Sequence, residues 1–185
     1  KTFDDKVRTF CSNPGGFVSS EYYENNLAVV NGHSYKDLKS NNTNFALLVS
    51  QEFTEPFKAP IQFGKHVARM ANMLTENKIL VQRFGDLIRG RRTTPSRLYR
   101  NNIIPTLKDA VPGDLSLVLP YRIMTDIIEM IYALDKVSPG LASDETLLYG
   151  IEVKFYSNKI KVTPDFQTQT IKNLYVGGDG AGITR

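Results

Sequence analysis

The stretch LPYRIMTDIIEMIYALDKVSPG, residues 119–140, is the clearest helical signal in the sequence. Apolar residues recur every three or four positions and would share one helix face: Ile123, Ile127, Met130, Ile131 and Leu134. The Ser-Pro-Gly sequence at 138–140 then provides a stop signal. This helix decides the fold class because of what lies on either side of it.

Shorter helices are predicted upstream. Pro60 suits a first helical turn, and an amphipathic pattern continues over residues 60–76. A second, short helix is predicted over residues 81–89. In a third, Thr94 is a natural N-cap and Pro95 occupies the first helical position.

Strand-like segments flank this group of helices on both sides. They cover residues 7–11, 16–23, 26–32 and 45–53 before it, and 147–156 and 173–177 after it. The apolar start of the segment at 45–53 predicts a strand buried on both faces. The order of strands, helices and strands predicts an α+β fold, with a short-stranded or barrel-like sheet and three to four helices.

The composition is that of an ordinary soluble globular protein. With 185 residues, 41% of them hydrophobic and 23% charged, the chain can bury a core. The single cysteine excludes an internal disulfide, and no apolar stretch is long enough for a membrane span. These features predict a cytoplasmic protein with no membrane partner. The opening KTFDDKVRTF has no apolar signal region, so it is not a signal peptide. It also lacks an initiator methionine, which is typical of a piece of a longer protein and equally of a processed or tagged chain.

The run RGRRTTPSRLYR, residues 89–100, concentrates positive charge. It contains Arg89, Arg91, Arg92, Arg97 and Arg100. With Tyr99 as a stacking surface, the run could bind phosphate or RNA. The alternative is a solvated helix edge, or arginines paired with Asp86, Asp109 and Asp114. The net charge of only +4 favours this alternative, so a nucleic-acid-binding or structural module is the second functional hypothesis.

The single cysteine and the two histidines show neither the spacing of metal ligands nor that of a Ser/His/Asp catalytic triad. Cys11 is predicted to be a buried structural residue, because little around it in sequence would stabilise a thiolate. His33 is predicted to make a polar contact, and His66 to be a surface or boundary residue of the first helix. The NPGG sequence at 13–16 suits either an anion-binding nest of amides or a simple turn.

The tail NLYVGGDGAGITR, residues 173–185, places a strand before a glycine-rich loop with one aspartate. Glycines let a ligand approach the backbone, but they equally suit a hairpin turn. With its preceding lysine, this tail resembles the carboxyl-terminal flavin motif of two-dinucleotide-binding-type FAD-dependent oxidoreductases. Other segments are similar to uncharacterised FAD-dependent dehydrogenases: VRTFCSNPGGFV, VNGHSY, NTNFALLVS, RGRRTT, PGDLSLVLPYR and LLYGIEVKFYS.

The resemblance implies an FAD site at the tail. Asp179 would accept a hydrogen bond from a ribityl hydroxyl of FAD, with Gly178 and Gly180 allowing close approach. Ala181, Gly182 and Ile183 would pass near the flavin ring. The family's GxGxxG motif for the ADP half of FAD does not occur in this sequence, and Asn13 stands where relatives often have a second cysteine.

The resemblance also implies how the chain is organised. Residues 1–165 would be an inserted substrate-side, or cap, domain, and residues 166–185 would return to the FAD-binding domain of the same protein. The full-length protein would be an FAD-dependent dehydrogenase or oxidoreductase acting on an unknown small molecule. We expect the fragment to be inactive and to bind FAD weakly or not at all. The last strand, if exposed, could pair two copies of the chain.

Overall fold

The computed structural model describes residues 2–153 and 160–178. The chain divides into two compact units, Lys1–Val153 and Lys154–Arg185. Every helix and strand named below belongs to the first unit. The fold is α+β, as predicted: three small sheets and four helices are found among the described residues.

The first third of the chain forms four strands. They are β1 (Lys6–Asn13), β2 (Phe17–Tyr23), β3 (Leu27–His33) and β4 (Asn44–Ser50), which confirms the four predicted strands. Strands β2 and β3 form a local antiparallel hairpin through a 3-10 turn at Glu24–Asn26. Strand β1 pairs antiparallel with β4 instead of with its neighbour β2. In the sequence, one strand of this non-local pair therefore precedes the hairpin and the other follows it.

The deeply buried strand in this region is β3, and the predicted burial of the strand at 45–53 on both faces was wrong. Residues 27–30 are all buried, whereas β4 is half-buried along its length. Strand β3 is buried because residues from distant parts of the chain bond to its backbone. The side chain of Asn72 accepts a hydrogen bond from the Ala28 amide at 2.7 Å and donates one to the Ala28 carbonyl at 2.8 Å. Val30 donates its amide to the carbonyl of Ile151 at 3.0 Å.

The predicted helices at 60–76, at 95 onward and at 119–140 are confirmed. They are α1 (Pro60–Thr75), α3 (Pro95–Tyr99) and α4 (Tyr121–Asp135). The hydroxyl of Thr94 caps α3 by accepting a hydrogen bond from the Arg97 amide at 3.3 Å. No helix among the described residues has the length and apolar character needed to cross a membrane.

The helix predicted over residues 81–89 was half wrong. Its first part is the strand β5 (Leu80–Arg83), and only Phe84–Ile88 is helical, as α2. Strand β5 lies between β6 (Val111–Pro112), which is parallel to it, and β7 (Leu147–Gly150), which is antiparallel. A central strand buried on both faces need not alternate between apolar and polar residues, so a short segment such as LVQR also fits a helix.

The main core lies between this sheet and the helices. It contains Val67, Ala71, Leu80, Phe84, Leu87, Leu115, Val118, Met124, Ile131 and Ile151. On α4 the fully buried apolar positions are Met124 and Ile131, with Ile127 and Ile128 packed beside them. The predicted apolar stripe is therefore correct at Ile127 and Ile131, whereas the buried residue Met124 was not predicted to belong to it.

The described part of the second unit is held by short backbone pairs. Isolated antiparallel bridges join Val162 to Thr168 and Gln167 to Tyr175. The strand predicted at 173–177 is thus reduced to one bridge. Asn173, with φ +61°, has a left-handed conformation that interrupts an extended strand at its start.

Candidate functional site

Three of the sequence segments that carry the family resemblance meet at one end of the first two sheets. We call this meeting point the amide junction and define it by Asn13, Gly16, Gly32 and Asn44. The Asn13 Nδ2 donates a hydrogen bond to the Asn44 Oδ1 at 3.0 Å. A Cβ on Gly32 would lie 2.5 Å from that Nδ2, and one on Gly16 would lie 2.9 Å from the His33 carbonyl oxygen. The two ladders approach this closely because both positions are glycine.

Cys11 is exposed, so its predicted burial was wrong. The register of β1 against β4 shifts between Phe10 and Asn13, which is a β-bulge, and Cys11 has φ +51° within it. A bulge re-aims a side chain out of the sheet pattern. The Asn13 Nδ2 also donates to the Cys11 carbonyl at 2.8 Å, which ties the bulge to the amide junction.

The NPGG sequence forms a turn. The Gly16 amide donates to the Asn13 carbonyl at 3.0 Å, and Gly15 has φ +63°. The segment that follows β3 crosses this turn: the Ser40 amide donates to the Gly15 carbonyl at 2.9 Å. Since the Gly16 amide already serves the turn, the structure favours the turn over an anion-binding nest.

The two histidines lie in separate places. His33, at the end of β3, is exposed and stacks edge-on against Tyr35 with ring centroids 4.4 Å apart. His66 is exposed on α1, as predicted. Among residues 2–153 and 160–178, no group of three or more histidine, cysteine, aspartate or glutamate side chains is arranged to hold a metal ion.

The arginine run is organised by one buried carboxylate. Asp86, with a fully buried side chain, accepts hydrogen bonds from the Arg91 Nε and the Thr93 hydroxyl, both at 2.8 Å. Arg83 and Arg97 lie 3.8 and 3.9 Å from the same carboxylate. Of the predicted acidic partners, Asp86 is therefore correct.

Other acids also contribute to this region. Arg89 pairs with Asp144 at 2.7 Å, and this pair lowers the pKa of the Asp144 carboxyl. The predicted partner Asp114 instead caps the 3-10 turn at Leu115–Leu117, where it accepts the Ser116 amide at 2.9 Å. Asp109 is exposed on a loop.

Buried polar side chains extend this network, and sequence inspection missed them. Gln82 is completely buried; it donates to the Arg91 carbonyl at 2.9 Å and accepts the Leu115 amide at 2.8 Å. Arg83 donates to Asn101 at 2.6 Å and to Glu145 at 2.7 Å. The polar residues in QRFGD and RNN were the only sequence signal for this buried network, since a buried polar side chain must find partners inside the fold.

A second charged cluster joins the start of the chain to α4. Arg122 contacts both carboxylate oxygens of Asp5, at 2.5 and 2.9 Å, and its guanidinium lies 4.7 Å from the ring centre of Phe3. The hydrogen bonds from Arg122 and Gln51 hold the pKa of Asp5 far below its usual range. Asp126 lies beside them and is 4% exposed; burial and its contact with Asp5 raise the pKa of the Asp126 carboxyl.

A protein-family model described as "FAD-dependent protein, C-terminal domain-like" matches residues 2–155 of this chain. The chain belongs to this family. A curated protein of Clostridium beijerinckii (strain ATCC 51743 / NCIMB 8052), described as "Uncharacterized protein", is 30% identical over 187 residues. The alignment covers 96% of this chain and 34% of that protein, so the chain spans about a third of the relative's length.

The family match ends close to the boundary between the two compact units. It stops at residue 155, and the units meet between residues 153 and 154. The first unit therefore corresponds to the FAD-dependent protein C-terminal domain, and the described part of the tail follows it. The predicted functional boundary between residues 165 and 166 stays a prediction.

Of the predicted FAD contacts, the structure describes only Gly178, whose φ of +84° is a conformation that favours glycine. The other predicted contacts lie outside the described residues: Asp179, Gly180, Ala181, Gly182 and Ile183. Their contacts with the ribityl chain and the flavin ring stay predictions.

Proposed function

We propose that this chain is the substrate-side domain of an FAD-dependent oxidoreductase, together with the segment that returns to the FAD-binding domain. The observation that carries the proposal is the family match over residues 2–155, with a glycine–aspartate sequence following it in the same chain. The alignment to a protein about three times as long supports a parent with further domains. The rest of that parent chain is then the first partner of this domain.

The tail is the part of this chain that would hold FAD. The Asp179 carboxylate would accept a hydrogen bond from a ribityl hydroxyl, and the bare backbone of Gly178 and Gly180 would allow the cofactor to approach. Ala181, Gly182 and Ile183 would line the flavin ring. Bound FAD would supply hydride or electron-pair transfer. A glycine loop before a helix N-terminus, elsewhere in the parent, would hold the pyrophosphate.

Residues 1–165 would cover the substrate side of the flavin and exclude water there. Several features of the first unit support a rigid role of this kind. The amide junction fixes two sheets against each other, and the carboxylate of Asp86 fixes the arginine loop. The substrate would be a small molecule, and no catalytic residue is assigned in this domain.

The role of the tail is tested by Asp179→Asn in the full-length protein. The amide cannot replace the negative charge that strengthens the ribityl hydrogen bond, so we expect FAD affinity to fall by roughly tenfold. FAD retained after gel filtration and the dissociation constant for FAD are the measurements. Asp165→Asn, at an exposed position in the same unit, is the matched control and should retain FAD like the wild type. Equal FAD affinity in Asp179→Asn and the wild type would contradict the assigned role.

A further inference from the structure

A cleft of about 330 Å³ lies in the first unit, and none of the residues that line it belongs to the amide junction. It is formed by the end of α1, the start of β5, strand β6 and the loop that follows it. Its apolar walls are Leu74, Leu80, Val111 and Leu117. Small-molecule sites are commonly clefts of this size with apolar walls and a few polar groups.

The backbone groups around this cleft are largely occupied. The amides of Val111 and Gly113 donate to the carbonyls of Ile79 and Val81 at 2.8 and 3.0 Å. The Gly113 carbonyl accepts the Thr93 amide at 2.9 Å. The Thr75 hydroxyl contacts the carbonyls of Ala71 and Lys78. These groups are satisfied within the fold, so a ligand gains little from them.

Arg92 is the exception at the cleft. Its neighbours Arg89 and Arg91 pair with Asp144 and Asp86, and Arg83 pairs with Glu145. The guanidinium of Arg92 is exposed and has no ion-pair or hydrogen-bond partner among the described residues. It therefore offers a charged donor fork at the edge of an apolar cleft, the arrangement that suits a carboxylate.

We propose that this cleft binds a small monocarboxylate with an apolar body, the carboxylate on Arg92 and the body against Leu74, Val111 and Leu117. The Asp114 carboxylate also lines the cleft, and its charge repels a doubly charged anion such as phosphate more strongly than it repels a single carboxylate. Leu117 is 63% exposed and Leu74 is 45% exposed, so an apolar ligand would cover surface that now faces water. The proposal does not depend on FAD.

The test is methyl NMR on the 185-residue chain, titrated with octanoate below its micelle concentration. We expect saturable shifts of the Leu74, Val111 and Leu117 methyl groups. Arg92→Met, which keeps the apolar stem, should weaken octanoate binding by about tenfold or more, as expected for loss of a charge-assisted hydrogen bond. Arg100→Met, at an exposed arginine outside the cleft, is the matched control and should bind octanoate like the wild type.

Two further probes separate charge from apolar contact. Octanol has the same alkyl length as octanoate but no charge, and it should bind at least about tenfold more weakly. Inorganic phosphate should give no saturable shift. Unsaturable octanoate shifts, an unchanged affinity in Arg92→Met, or octanol binding equal to octanoate would each overturn the proposal. Phosphate binding tighter than octanoate would overturn the assigned ligand class.

Discussion

Asn13 and Asn44 join two strands that lie far apart in sequence, through an amide–amide hydrogen bond of 3.0 Å that passes over the Cα of Gly32. The pair sits where the non-local ladder of β1 and β4 meets the hairpin of β2 and β3. Three segments with family resemblance thus have one structural purpose in common. The glycines leave room for the two asparagine side chains to pair directly against the backbone of the hairpin.

Gly32→Ala should destabilise the chain. The new Cβ would lie 2.5 Å from the Asn13 Nδ2, so the amide pair would have to move. We expect a loss of about 1–3 kcal/mol in the free energy of unfolding, measured by urea denaturation. Gly177→Ala is the control, because its Cβ would meet no atom of the described residues within 4 Å. A Gly32→Ala variant as stable as the control would show that the close approach is not needed.

Asp86→Asn should lower the free energy of unfolding more than Asp144→Asn, which removes a carboxylate at the surface. The amide would leave Arg91 and the half-buried Arg97 without their negative partner and would put a buried amide where a carboxylate accepts hydrogen bonds, which typically costs about 1–3 kcal/mol. Asp144→Asn breaks an exposed pair with Arg89, which water and salt already screen. Urea denaturation of both variants should therefore separate them clearly. Similar unfolding free energies would contradict the view that Asp86 organises the arginine loop.

Asp126→Asn should change how stability depends on pH. A carboxyl whose pKa is raised on folding binds its proton more tightly in the folded state than in the unfolded state. That contribution is complete below the ordinary value of 3.8 and is lost as the pH rises through the raised pKa of the folded state. Asp5 acts in the opposite direction, because its lowered pKa favours folding above 3.8 and this contribution is lost as the pH falls.

The asparagine cannot ionise, so the variant avoids the cost of a buried charge next to Asp5 and Glu129. Relative to the wild type, Asp126→Asn should become more stable as the pH rises from about 4 to about 7. Urea denaturation at several pH values measures this difference. Asp109→Asn removes one negative charge at an exposed loop position and serves as the control. A difference between Asp126→Asn and the wild type that stays constant or shrinks as the pH rises would refute the assignment.

The sequence was most informative where structure is local. Pro60, the Thr94 cap and the Ser-Pro-Gly stop at 138–140 act through neighbouring backbone groups, and α1, α3 and α4 begin or end close to them. The turn at NPGG was recognisable for the same reason. Local signals do not specify partners, and so the pairing of β1 with β4 could not be predicted from them.

The failures have one physical cause in common, which is burial decided by distant residues. Asn72 belongs to the polar positions of the α1 pattern, yet it is buried because it bonds to the backbone of Ala28, 44 residues away. Strand β5 was assigned to a helix because its neighbours β6 and β7 come later in the chain. Cys11 was expected inside, and a one-residue irregularity in the ladder places it outside.

The site was predicted only as far as family resemblance reached. The glycines of the tail suited both a hairpin turn and a cofactor loop, and their spacing alone could not separate these. Of the three acids predicted to pair with the arginine run, Asp86 does so, as expected for a strongly charged segment in a chain of small net charge, whereas Asp109 and Asp114 do not. The hydrogen bond between Arg91 and the buried Gln82 could not be predicted, because the only sequence signal was one polar residue next to apolar ones.

The most direct test of the account is a titration of FAD into the isolated 185-residue chain beside the full-length parent, followed by flavin fluorescence. The account predicts stoichiometric FAD in the parent and weak or no binding by the isolated chain, because the strong part of a dinucleotide site is a glycine loop with a helix dipole. Tight stoichiometric binding by the isolated chain, or a full-length parent that binds no FAD, would contradict it.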